Sequence, residues 1–338
     1  MKQSIFLIFL FLIFLQPAKA GVTDSILKET SHLADTVRIQ TINKTSGSYR
    51  IHQPNKAILL NNLALSLSEK ANYTQGKIKS LLLLGYSYHY HQVNDSAIYY
   101  YQQALQLAKK HGLKRQVAIY HGSLSISLFQ INKYNKAIEY YEKTLQNFIE
   151  LKDLSGQAKC YANIGNVYNE TGENMKAMES YLSSLALSEE LENEDLIATN
   201  TNNIAIIYLD LGDYRKALEY HLKVVKYSKN TNQRLLADAY NNIGMSYAEL
   251  NMLDSAEIYY KKALKLGEAI ASKEKYALAM NNLGVVYYDK KMFDKAYTYF
   301  KNAFQVAAEC QNIRAMAMYQ NNMASCYFEN GKYEKAIE

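Results

Sequence analysis

Small residues recur through this chain at Gly85, Ser125, Gly165, Ala205, Gly244, Gly284 and Ala324, at intervals of 40, 40, 40, 39, 40 and 40 residues. Twelve residues after each stands an alanine: Ala97, Ala137, Ala177, Ala217, Ala256, Ala296 and Ala336. Immediately before each comes Leu84, Leu124, Ile164, Ile204, Ile243, Leu283 or Met323, and three after comes Tyr88, Leu128, Tyr168, Tyr208, Tyr247, Tyr287 or Tyr327. Four past the alanine is an aromatic ring or histidine: Tyr101, Tyr141, Tyr181, His221, Tyr260 or Phe300. A fixed period of this size is the mark of stacked supersecondary units, each covering the apolar face its neighbour cannot bury alone.

The offsets within a half-repeat are one, three and four, a single helical face. Turn-like strings such as TGEN, LGDY and NGKY separate the halves, and polar strings such as ENED, SKNTNQ and ASKEK lead onward. Each unit therefore reads as two antiparallel helices. The small residue is expected to let the backbones approach, with the tyrosine three residues later filling the wider part of the contact. Two prolines in 338 residues and 31 tyrosines without a tryptophan fit helices built on one repeated aromatic position, not a many-stranded sheet.

This pattern resembles the tetratricopeptide repeat, in the long-repeat branch that includes kinesin light chains, over about residues 51–338. NNMASCYFENGKYEKAIE, residues 321–338, is especially similar to that branch. The resemblance implies an all-α fold, a right-handed superhelical α-solenoid of antiparallel helix pairs. Forty residues instead of the common 34, with no proline closing the second helix, suggest longer helices and a more open superhelix. The expected organisation is a signal peptide over 1–20, N-terminal helices with a degenerate first repeat over 21–72, and seven repeats over 73–338, the last truncated. The first helix of that degenerate repeat, roughly 35–50, is expected to turn its outer face to solvent.

The N-terminus is a different kind of segment. Lys2 precedes eleven apolar residues, Ile5 to Leu15, and the small-x-small end Ala18-Lys19-Ala20 follows. That composition reads as an export signal cut between Ala20 and Gly21, with an uncleaved anchor as the alternative, and the run is short for a helix spanning a bilayer. The mature chain is expected to be periplasmic or otherwise extracytoplasmic. Losing Lys2 and Lys19 lowers the formal charge from +6 to +4, and no basic cluster dense enough for nucleic acid remains. Three cysteines, Cys160, Cys310 and Cys326, exclude a complete disulfide framework. Cys160 reads as a small buried residue, and a Cys310–Cys326 bridge is conceivable.

Two columns of residues on the first helices are expected to face a concave groove. Two before the small residue stand Asn163, Asn203, Asn242, Asn282 and Asn322. The resemblance implies that such amides bond the backbone of a bound peptide, since an amide carries donor and acceptor together; the competing reading is that they tie neighbouring helices. Five after the small residue stand Glu170, Asp210, Glu249, Asp289 and Glu329. Carboxylates in the last turn oppose the helix macrodipole, so helix propensity does not explain them. They suggest an acidic edge that prefers a basic segment, against the alternative of acids solvated beside Lys290, Lys291 and Lys332. Lys159, Asn163 and Asn166 form only a fragment of a carboxylate clamp, because the matching positions in the flanking repeats are Ile126 and Ile206.

No phosphate loop, nucleophile elbow or paired-cysteine zinc site is present. His89 and His91 point apart on their helix, and His221 in the second-helix core reads as a buried, hydrogen-bonded packing residue. The expected function is a non-catalytic, exported scaffold binding a protein or peptide segment, with no cofactor, no metal and no nucleic acid. The alternative is the sensing region of a membrane signalling protein, a histidine kinase or DNA-binding regulator, reached through a segment beyond Glu338. The early stop favours a truncated chain: Glu338 falls two residues past Ala336, before the aromatic expected near 340.

Overall fold

The computed structural model describes residues 16–228 and 231–337; the apolar run Ile5–Leu15 lies outside the described residues. Seventeen helices and no strand occur among the described residues. They are α1 (Gln16–Glu29), α2 (Asp35–Tyr49), α3 (Pro54–Lys70), α4 (Thr74–Tyr90), α5 (Asn94–Lys110), α6 (Lys114–Gln130), α7 (Tyr134–Glu150), α8 (Leu154–Glu170) and α9 (Asn174–Glu190). Then follow α10 (Glu194–Asp210), α11 (Tyr214–Ser228), α12 (Gln233–Glu249), α13 (Leu253–Ala269), α14 (Lys273–Asp289), α15 (Phe293–Glu309), α16 (Ile313–Glu329) and α17 (Tyr333–Ile337). The chain divides into two compact units, one ending at Val167 and one beginning at Tyr168.

From α3 to α10 and from α12 to α16, helices of 17 residues alternate with three-residue turns, and such turns also precede α11 and α17. So short a link between helices about 25 Å long returns the chain antiparallel. The central turn residue is left-handed: nine non-glycine residues, among them Asn72, Lys152 and Ala271, and four glycines adopt it. The next residue donates its N–H five residues back, as Val93 does to Tyr88 (2.9 Å) and Met292 to Tyr287 (2.8 Å). This closes the orphaned carbonyls of the last helical turn. Turns inside a pair and turns between pairs share this geometry, so TGEN-like and ENED-like strings are one kind of link.

The alanines Ala97, Ala137, Ala177, Ala217, Ala256 and Ala296 are all fully buried. What the glycines admit is a ring. A methyl group built on Gly284 would lie 2.5 Å from the Phe300 ring, and one on Gly244 would lie 2.7 Å from Tyr260; Tyr101 covers Gly85 in the same way. The expectation that glycine brings backbones together is thus corrected: the ring sixteen residues on occupies the space. The tyrosine three residues on has a separate task. It stacks on a second-helix tyrosine, as in Tyr88–Tyr100 (5.4 Å), Tyr208–Tyr220 (5.4 Å), Tyr247–Tyr259 (5.5 Å) and Tyr287–Tyr299 (5.3 Å). Lysines lie over several of these rings, Lys216 over Tyr208 at 5.1 Å and Lys295 over Tyr287 at 3.8 Å.

Two further expectations change. The degenerate first pair, α2 and α3, is not left open, because Ile26 of α1 is buried with Ile39, Ile42, Leu60 and Ala64. Arg38 fixes that helix by donating to the Leu27 carbonyl (3.1 Å). Cys160 is buried as expected, whereas Cys310 is exposed and Cys326 buried, both as free thiols.

His221 is buried but not hydrogen-bonded: it has no exposure, and neither ring nitrogen finds a partner. It belongs to the repeat whose small residue is Ala205, also fully buried. Burial pulls the imidazole down to about 4, from an ordinary value of 6.5. The folded value lies below the unfolded one, so the unfolded chain binds the extra proton first. Stability is unaffected above pH 6.5 and falls as pH drops through the window to about 4, by a few kcal/mol at most. Replacing His221→Tyr alone should destabilise by roughly 1–3 kcal/mol at pH 7.5, because the larger ring meets the Ala205 methyl. The double change Ala205→Gly/His221→Tyr should restore stability and flatten the acid limb of a urea-unfolding series between pH 7.5 and 4.5.

Candidate functional site

The acidic column lies entirely in the second unit, one residue each on α8, α10, α12, α14 and α16. Glu170, Asp210, Glu249, Asp289 and Glu329 are all exposed, and none makes an ion pair among the described residues. The lysines expected to neutralise them do not. Lys290 reaches Asp254 and Glu257, both at 2.7 Å, while Lys291 and Lys332 form no ion pair among the described residues. Partial burial and the charge of Glu249 raise the Asp289 carboxyl above the ordinary carboxylate value. Acids of successive first helices thus feel each other's charge. Glu249 and Asp289 also raise the Tyr260 phenol, behind the dominant effect of its burial.

Glu257 is the contrasting case on α13. Burial acts to raise its carboxyl, but hydrogen bonds from Lys261, Lys290 and Tyr287 outweigh it and hold the group at about 2. The Tyr287 hydroxyl donates to it at 2.6 Å. Glu257 is thus neutralised by two lysines, whereas the five first-helix carboxylates have no basic partner among the described residues, Glu249 and Glu329 being hydrogen-bonded to the Tyr214 and Tyr288 hydroxyls.

The asparagine column is half-buried, at Asn163 in the first unit and at Asn203, Asn242, Asn282 and Asn322 in the second. Part of its hydrogen-bonding capacity runs sideways. Asn322 Nδ2 donates to Asn281 Oδ1 (2.8 Å), Asn281 Nδ2 to Asn282 Oδ1 (3.1 Å), and Asn282 Nδ2 to Asn241 Oδ1 (2.8 Å). These bonds link α16 to α14 and α14 to α12. Each donating amide keeps a second N–H, so the ladder joins helices and still leaves donors along its edge. The partner residues Asn241 and Asn281 were missed by the sequence reading, although the doublets at 202–203, 241–242, 281–282 and 321–322 were visible.

Signal cleavage at Ala20–Gly21 would fall within α1, which runs unbroken from Gln16 to Glu29. Ile26, which carries the packing of α1, lies after the cut. Lys159, Asn163 and Asn166 share α8. Among the described residues there is no cluster of histidine, cysteine and carboxylate side chains able to hold a metal, and no helix is long and apolar enough to cross a membrane.

With the repeat geometry in hand, comparison with known proteins gives the family. The tetratricopeptide repeat profile matches residues 77–150, 156–230, 197–269 and 275–338, and the chain belongs to that family. Solved structures share the fold at low identity. The Signal Transduction ATPase with Numerous Domains with a tetratricopeptide repeat sensor, from Pyrococcus horikoshii, is 16% identical with a TM-score of 0.69, covering 95% of this chain and 52% of its own. The apo quorum sensor NprR of B. thuringiensis is 16% identical with a TM-score of 0.66, covering 93% and 89%. BtubC (BKLC) of P. vanneervenii is 22% identical with a TM-score of 0.52, covering 61% and 85%. No curated protein matches the sequence.

The ladder makes a stability prediction. Asn281 is buried and both donates and accepts within it. Asn281→Ala should cost about 1–3 kcal/mol in urea unfolding, with helical content by circular dichroism unchanged.

Proposed function

We propose that this chain is an exported, non-catalytic scaffold whose second unit binds an extended protein or peptide segment rich in lysine or arginine. The observation that carries this reading is the column of five exposed carboxylates, none in an ion pair among the described residues, beside a column of asparagines. A basic segment lying along the first helices would neutralise the column, and its backbone would meet the spare amide donors. Each amide bond contributes only about 1 kcal/mol net, so charge supplies steering and the amides supply register. The fold neighbours include a quorum sensor and a protein with a repeat sensor. At their identities these likenesses establish the fold, and the basic preference rests on the carboxylates alone.

The same surface would serve the sensing region of a membrane signalling protein, in which occupancy by a segment is the signal. Export under either arrangement is supported by the composition of residues 1–20.

Two outcomes are expected. A fluorescein-labelled Lys/Arg-rich peptide should bind with affinity that falls as salt rises, and its Glu-substituted counterpart should not bind. Neutralising the edge through Asp210→Asn, Glu249→Gln and Asp289→Asn together should weaken binding by about tenfold or more. Equal affinity of wild type and triple variant, at any ionic strength, refutes the acidic-edge reading. For export, N-terminal sequencing of protein recovered outside the cytoplasm should begin at Gly21; recovery only in the cytoplasm with Met1 intact refutes it.

A further inference from the structure

The first unit breaks the pattern of the second. Where the asparagine column would continue stand Leu83 and Ser123, and where the acids would continue stand Tyr90 and Gln130. In place of the acidic edge, a cavity of about 540 Å³ opens between α2 and α4. Gln40, Asn43, Lys44 and Gly47 line it from α2, at offsets of three, four and seven that form one helical face. Lys79 lines it from α4 and Tyr73 from the turn before that helix, and no aspartate or glutamate lines it.

The lining combines the donors of Lys44, Lys79, Tyr73 and Asn43 with the amides of Gln40 and Gln75, which carry donor and acceptor together. Asn43 is 5% exposed; its amide meets the Ser80 hydroxyl at 3.1 Å, a hydroxyl whose single proton also reaches the Gly76 carbonyl at 2.9 Å, and the amide makes no other side-chain hydrogen bond among the described residues. The Tyr73 oxygen accepts from Gln40 Nε2 at 2.9 Å, which leaves its own proton to give. Lys44 and Lys79 are exposed and make no ion pair among the described residues, whereas their neighbour Lys77 pairs with Glu69 at 2.7 Å. One turn beyond Gly47, the Arg50 guanidinium lies 5.2 Å from the rings of Tyr86 and Tyr90, with no carboxylate partner. Two positive charges without a counter-charge line the concavity, with Arg50 outside its lining, and concentrate positive potential there. Gly47 provides the room, since a methyl group built on it would meet nothing within 4 Å.

We infer that the cavity between α2 and α4 is a binding site for the oxyanion of a small ligand, a phosphate monoester or a carboxylate. The buried Asn43 amide and the Tyr73 hydroxyl orient the oxyanion, and Lys44 and Lys79 neutralise it through charge-assisted hydrogen bonds. The volume falls within the range of about 300–1,000 Å³ common for small-molecule sites. This site lies in the first unit and does not depend on the acidic column, so either reading can fail without the other.

Isothermal titration calorimetry of the protein with inorganic phosphate, glycerol 3-phosphate and succinate tests the assignment. At least one probe should bind with one-to-one stoichiometry; preference for glycerol 3-phosphate marks the phosphate source and preference for succinate the carboxylate source. Lys44→Gln/Lys79→Gln, both on exposed side chains, should weaken that probe by about tenfold or more. Gly47→Glu, which places a carboxylate in the cavity at an unobstructed helical position, should abolish binding. Both variants should keep the wild-type circular dichroism spectrum and melt no lower. Failure of all three probes to bind at 10 mM, a working limit of about the weakest site of interest, overturns the proposal. Equal binding by wild type and either folded variant overturns it as well.

Discussion

The ring laid over a glycine is the contact that sets the helix pair in three of the repeats. Phe300 over Gly284, Tyr260 over Gly244 and Tyr101 over Gly85 each fill a space that a single methyl group would close. Because the ring comes from the second helix and the glycine from the first, this contact fixes the rotation of one helix against the other. The buried alanine four residues before the ring lets the helices close behind it. With both rotations fixed, the positions two before and five after the glycine always emerge on the same side. Surface columns are thus a geometric by-product of the core, and evolution is free to write on them.

What was written differs between the two units. In the second, asparagines link successive first helices through the Asn322–Asn281–Asn282–Asn241 series, and carboxylates stand beside them without ion pairs among the described residues. In the first, the corresponding positions are apolar or neutral, and the polar chemistry moves to lysines and a buried amide around an open cavity. Lys290 and Lys261 of the second unit are drawn to Glu257 on a second helix, and Lys275 to Asp238 on a first helix, away from the acidic column. That distribution is why one edge keeps its negative charge although the chain as a whole is slightly basic.

The helix pairs, their period and the buried alanines were legible because each is a constraint repeated seven times along the chain. The ring-on-glycine contact was misassigned, since spacing alone does not say which aromatic meets the glycine. One repeat carried a hint, in which the smaller ring of His221 accompanies Ala205 instead of glycine, although Tyr141 accompanies Ser125. The ladder partners Asn241 and Asn281 escaped because a doublet in a helix places its members on different faces, and only one was expected to matter. The packing of α1 could not be foreseen from a segment outside the repeat. The cavity between α2 and α4 was invisible for the same reason: its residues follow no period, and distance in space, not in sequence, brings Asn43 and Lys79 together.

The turns carry one more consequence. From α3 to α11 and from α12 to α17, links within a pair and links between pairs have the same three-residue length, the same left-handed centre and the same backward N–H bond. To the backbone, then, the elementary step is about twenty residues, half of what the side chains count. A duplication or loss of a single helix would leave every junction chemically sound, yet would set two like faces against each other. Gene rearrangement in such an array is therefore policed by side-chain matching, and viable growth comes in whole pairs.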